Sequence, residues 1–132
     1  MENLISNATE ILLLLFLTIT FLQSGIDKML DWKGNLGWLT GHFSKSIFKG
    51  SVPVLLGTIL VLEMLSGILC GVGVFQFVID GDSSIGFLGA LLSAITLLLL
   101  LLGQRVAKDY AGAQTIVVYL IPTVFLVYLM QG

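Results

Sequence analysis

Four apolar stretches leave this chain few ways to fold, and the second, from Val52 to Ile79, constrains it most. That stretch is long enough to cross a bilayer as a helix, and it carries one acid, Glu63, near its middle. Pro53 to Glu63 spans roughly 15 Å of helix, about half of a ~30 Å hydrocarbon core. An ionisable group at that depth costs on the order of 3 kcal/mol to insert, so Glu63 is expected to be shielded, protonated or paired. One turn later Gly67 and Gly71 are spaced four apart, with Ser66 and Cys70 beside them. Such small residues let a second helix approach closely.

The other spans are expected at about 9–26, 85–104 and 111–130. Charged residues make up 11% of the chain, against roughly 25% in soluble domains. The expectation is an all-α membrane protein: residues 1–132 as one domain, a four-transmembrane-helix bundle with no soluble head. Membrane lipid is then its first partner, and a net charge of −2 gives no footing for nucleic acid. Met1 to Glu10 has no basic residue and no small-residue cleavage site, so the first span is expected to be retained as a helix.

Between the first two spans, Asp27 to Ser51 is polar but periodic. Trp32, Leu36, Leu39, Phe43 and Ile47 recur at helical spacing, while Gly34, Gly37 and Gly41 weaken a continuous helix. This predicts one or two short amphipathic helices at the membrane interface, anchored by Trp32 and Trp38, or serving as a lid over a pocket. All six basic residues lie in the first and third connections, and the remaining connection and both ends have none. The positive-inside rule then puts both termini outside and the basic connections in the cytoplasm.

The candidate chemistry gathers at that basic side. Lys28 ends the first span, Lys108 and Asp109 follow the third, and Gln23 and Gln104 precede the two lysines by five and four residues. A buried Glu63 facing these donors can handle a proton or bind a polar headgroup; alternatively the lysines snorkel and Glu63 pins the helices by hydrogen bonds. One cysteine, Cys70, rules out an intrachain disulfide or a CxxC pair and reads as a packing residue. One histidine, His42, rules out bis-histidine haem ligation within the chain. No metal-ligand spacing, phosphate loop or nucleophile elbow occurs, so no metal and no covalently bound cofactor is expected.

Three stretches carry a resemblance: Phe21-Leu-Gln-Ser-Gly-Ile-Asp-Lys-Met-Leu30, Glu63-Met-Leu-Ser-Gly-Ile-Leu-Cys-Gly-Val-Gly73 and Arg105-Val-Ala-Lys-Asp109. Together they resemble the DoxX family of small bacterial membrane proteins. In that pattern a glycine and lysine close the first helix, and an acid followed by glycines marks the second. Lys28, Glu63, Gly67 and Gly73 fall on matching positions. The resemblance implies a bacterial inner-membrane protein tied to thiol or sulfur to quinone redox metabolism. It also implies an accessory or quinone-site subunit, with another membrane redox subunit or a second copy of the chain as partner. Two other functions stay open. One is a small proton-coupled transporter, although four-helix exporters of that type carry their acid in the first helix, where this chain has none within the apolar run. The other is an assembly subunit with no chemistry of its own.

Overall fold

A computed structural model describes residues 2–131. Among them there is no strand; six helices follow in order, α1 (Glu2–Ser6), α2 (Ala8–Leu30), α3 (Trp32–His42), α4 (Val52–Asp80), α5 (Ser84–Val106) and α6 (Tyr110–Gln131). Helices α2, α4, α5 and α6 are long and apolar enough to cross a membrane, at 23, 29, 23 and 22 residues. At ~1.5 Å per residue they run roughly 33 to 44 Å. This is the pattern of a multi-pass membrane chain.

Two helix bounds differ from expectation in ways that matter. Helix α2 continues past Ile26 to Leu30, so Asp27 and Lys28 belong to the helix rather than to a loop. It stops at Asp31, whose N–H still donates to Asp27 O while its carboxylate accepts from Gly34 N at 3.2 Å and starts α3. One residue thus ends one helix and caps the next. The polar N-terminal stretch forms the short α1, from which Asn3 donates to Val78 O near the end of α4.

The helices pack around α4. It contacts α2 on one side and α5 on the other, while α6 leans on α5 and meets α2 more sparsely. Ile11, Leu14, Leu17 and Phe21, at spacings of three, three and four, form the buried stripe of α2. They meet Cys70 and Phe77 of α4, Ala90 and Leu97 of α5 and Leu126 of α6.

The closest approach joins α4 to α5. A Cβ on Gly73 would strike the Cα of Gly86, and one on Gly89 would come 2.8 Å from the backbone N of Cys70. Ser93 and Thr96 hand their hydroxyl protons to Gly89 O and Leu92 O, which lets polar side chains lie in this contact without unsatisfied donors. Gly67 faces α2 instead, where an added Cβ would sit 2.8 Å from Leu22 Cγ. Gly71 also faces α2 but with ordinary room, 3.4 Å from Thr18 Cγ2. The Gly67–Gly71 pair therefore lies at α2, close only at Gly67, and Gly73 lies at the tighter α4–α5 crossing.

The loop-rich segment after α2 is one helix followed by turns. Trp32, Asn35, Leu36, Leu39 and His42 are half-buried on the inner side of α3, and Phe43 and Phe48 continue that side in the turns. Ile47, expected on the same face, is 85% exposed, because α3 ends at His42 and helical spacing no longer applies beyond it. His42 lies against Gln104, which brings the two basic connections to one end of the molecule. The N-terminal segment and the α4–α5 turn share the other.

Candidate functional site

Helical geometry places Glu63 eleven residues into α4, about 16 Å along it, facing α2. One turn on, Gly67 carries no side chain against Leu22, which lets the α2 helix come close and covers the acid. Glu63 is 3% exposed. Its cation is Lys28, in the last turn of α2, whose Nζ lies 2.8 Å from Glu63 Oε1. The ammonium also donates to Ser24 Oγ at 2.7 Å, one helical turn back, which fixes its direction. The approach to Oε1 is at ion-pair distance but off a hydrogen-bonding angle, and Oε1 receives no directed hydrogen bond among the described residues. Glu63 is thus buried, compensated in charge and left with acceptor capacity.

Two cavities meet at this pair. The first, about 360 Å³, lies under α3 between the start of α4 and the end of α5. Its walls are Leu39, Phe43, Phe48, Leu55, Ile59 and Leu99, among others, and its polar groups include Lys28, Asn35, Trp38 and Gln104. The second, about 350 Å³, opens between α2 and α6. It is more polar, with Thr20, Gln23, Ser24 and Asp27 on α2, Glu63 on α4 and Tyr119 on α6. Lys28 lines the first cavity and Glu63 the second, so the ion pair forms part of the partition between them. Both volumes fall within the ~300–1,000 Å³ range of small-ligand pockets.

A second polar cluster holds α3 over the first cavity. His42 Nε2 lies 2.9 Å from Gln104 Oε1 and 3.6 Å from Asp109 Oδ2. Asp109 Oδ1 accepts from Gly112 N and so caps α6. Trp38 stacks on the His42 ring with centroids 4.6 Å apart.

The sequence candidates therefore divide. Lys28 and Glu63 are in contact, and Gln23 lines the cavity on the carboxylate side. Gln104 and Asp109 belong to the α3 latch, with Gln104 also lining the first cavity. Lys108 reaches neither: it is exposed in the α5–α6 turn, with a left-handed backbone at φ 62°. His42 was missed as a site residue. Its signal in the sequence was the Trp38–His42 spacing of four, which places both rings on one side of a helix. Among the described residues no three His, Cys, Asp or Glu side chains converge as metal ligands would. No family model, no curated protein and no solved structure matches the chain.

Proposed function

We propose that this chain is a DoxX-like bacterial inner-membrane protein, a four-helix bundle with α3 lying at the interface. Its role on this reading is to bind a quinone-like ligand as an accessory subunit of membrane redox metabolism. The observation that carries the reading is the first cavity: an apolar chamber with a half-buried ammonium, two amides and an indole at its polar groups. A quinone presents carbonyl acceptors on an apolar ring, and Lys28, Asn35 and Gln104 are the donors that fit them. When bound, the quinone would supply the two-electron acceptor chemistry, and the electrons would come from a partner redox subunit. This chain's part is to exclude water with Leu39, Phe43 and Leu55, to orient a carbonyl at Lys28, and to hold Glu63 behind the lysine as a proton-handling group. The resemblance at residues 21–30, 63–73 and 105–109 supports the same assignment. On this reading the basic end faces the cytoplasm and both termini lie outside.

Trp38 lines the cavity and reports on it. In a Trp32→Phe background, a short-chain quinone titrated into purified protein should quench Trp38 saturably. Lys28→Met should weaken that binding by about tenfold, the loss of one charge-assisted hydrogen bond of ~1.5 kcal/mol. Leu55→Phe, which narrows the chamber without adding an indole, should weaken it as well. Quenching that never saturates, or that both variants leave unchanged, refutes a quinone site here. A proton-coupled transporter is the second reading, favoured by Glu63 lining the cavity opposite to Lys28. Proton flux driven by a solute gradient in liposomes, lost in Glu63→Gln, would select it.

A further inference from the structure

We infer that the cleft between α2 and α6 is a water-filled, cation-selective inlet through which Glu63 exchanges protons with the basic end of the molecule. The inference rests on Lys28–Glu63 being the working site, and it holds whichever ligand fills the first cavity. Four polar residues of α2 carry it. Thr20, Gln23, Ser24 and Asp27 recur at spacings of three, one and three, which lines them along one helix face. From Thr20 to Asp27 that track is about 10 Å long. Its inner end is Glu63 and its outer end is Asp27, exposed near the close of α2.

A polar face on a helix in hydrocarbon needs partners, since unsatisfied amides and hydroxyls there cost several kcal/mol each. Gln23 has no hydrogen bond to protein among the described residues and is exposed on the cleft side. Glu63, whose buried Oε1 has no directed donor, lines the same space. Tyr119 brings a hydroxyl from the opposite wall. A cavity of about 350 Å³ has room for several waters, and these groups supply the two to four polar partners that each water needs. The sign of the charge is equally specific. Two carboxylates line the cleft, and since the Lys28 ammonium already answers Glu63, Asp27 at the outer end is the charge left uncompensated. Low-dielectric walls around one sign of charge concentrate counter-ions, here protons and small cations.

Cysteine accessibility tests this without the first cavity's ligand. In a Cys70→Ser background, Thr20→Cys and Gln23→Cys are treated with impermeant cationic and anionic methanethiosulfonates in vesicles of each orientation. Tyr119→Cys reports the same cleft from α6 if a change on α2 fails to fold, and Leu12→Cys, 65% exposed on α2, is the lipid-facing control. Both reagents should reach positions 20 and 23 only from the side on which Lys45→Cys is labelled. Relative to a free thiol, the cationic reagent should be favoured by on the order of tenfold. Asp27→Asn should remove most of that preference, since it takes away the carboxylate that no cation answers. Modification no faster than at Leu12→Cys would make the cleft a lipid crevice and overturn the inlet. Labelling from the opposite side, or no preference for the cation, would overturn it as well. Failure of quinone binding with the inlet intact would remove only the ligand assigned above.

Discussion

Lys28→Met and Glu63→Gln, alone and together, give the sharpest test of how the central pair works. At 2.8 Å and an effective dielectric constant of about 20, the two charges attract by roughly 6 kcal/mol. Taking each ion out of water costs several kcal/mol, so the pair as a unit contributes little net stability. Breaking it is another matter. Lys28→Met strands a carboxylate that is 3% exposed in the middle of a long apolar helix. The loss should be about 3 kcal/mol, the lower end of the range for an orphaned buried charge and close to the insertion penalty of an acid at mid-membrane. Glu63→Gln should lose only about 1 kcal/mol, because the Lys28 side chain is 17% exposed and in the last turn of α2, so it can swing to the headgroups. The double variant carries no buried charge and should also lie within about 1 kcal/mol of the parent. The coupling energy is then about 3 kcal/mol, far above the ~0.5 kcal/mol scatter of independent sites. Equilibrium unfolding in mixed micelles with increasing SDS, followed by loss of helical circular dichroism, measures all four proteins. If Lys28→Met unfolds with the parent, or the two losses simply add, Glu63 is not held by Lys28.

Packing, backbone strain, the latch and an exposed turn each give a further test. Gly73→Ala and Gly89→Ala should each lose about 1–3 kcal/mol, since the added methyl meets opposing backbone, whereas Gly71→Ala should stay within about 0.5 kcal/mol; detergent melts rank the three. Lys108→Gly should gain up to about 1 kcal/mol by relieving a left-handed backbone at φ 62°, read in the same melts. His42→Ala should free α3 and lower the fluorescence anisotropy of Trp38 in the Trp32→Phe background; unchanged anisotropy would mean that the ring stack does not hold the helix. Asp82 is held below the usual carboxylate range by the hydroxyl and then the N–H of Ser84, so its effect on the turn is stabilising above the unfolded carboxyl's titration and fades as pH falls through its own. Ser84→Ala should bring its titration, followed by carboxyl NMR, back toward normal.

Helix existence was legible from hydropathy because each span must bury its own backbone polar groups in lipid, and long apolar runs do that only as helices. The acid within the second span and its need of a partner were equally plain from Glu63 alone. Which lysine answers it was not. Lys28 and Lys108 both end a span in the sequence, but α2 continues as helix through Lys28 and aims it at α4, while the α5–α6 turn carries Lys108 outward. The small-residue rule found Gly67 and Gly71 but could not say which neighbour they meet. Gly73 and Gly86 approach closest because neither carries a side chain, so backbone meets backbone where α4 crosses α5. The latch at His42 escaped because it joins residues 62 apart, and no local pattern reports such a pair.

The order of the chain has a consequence for biosynthesis. Helix α2 precedes α4 by more than twenty residues, so Lys28 reaches the membrane before Glu63 is inserted. Its place near the end of α2 lets it wait among the headgroups at little cost. Glu63 enters later, and a cation is already present to receive it at the moment its insertion would be least favourable. The α4–α5 hairpin, closed by three residues, can then form on a partner that is already neutralised. A chain permuted to make α4 before α2 would insert the acid first and alone, and the translocon would meet the full penalty that the natural order avoids.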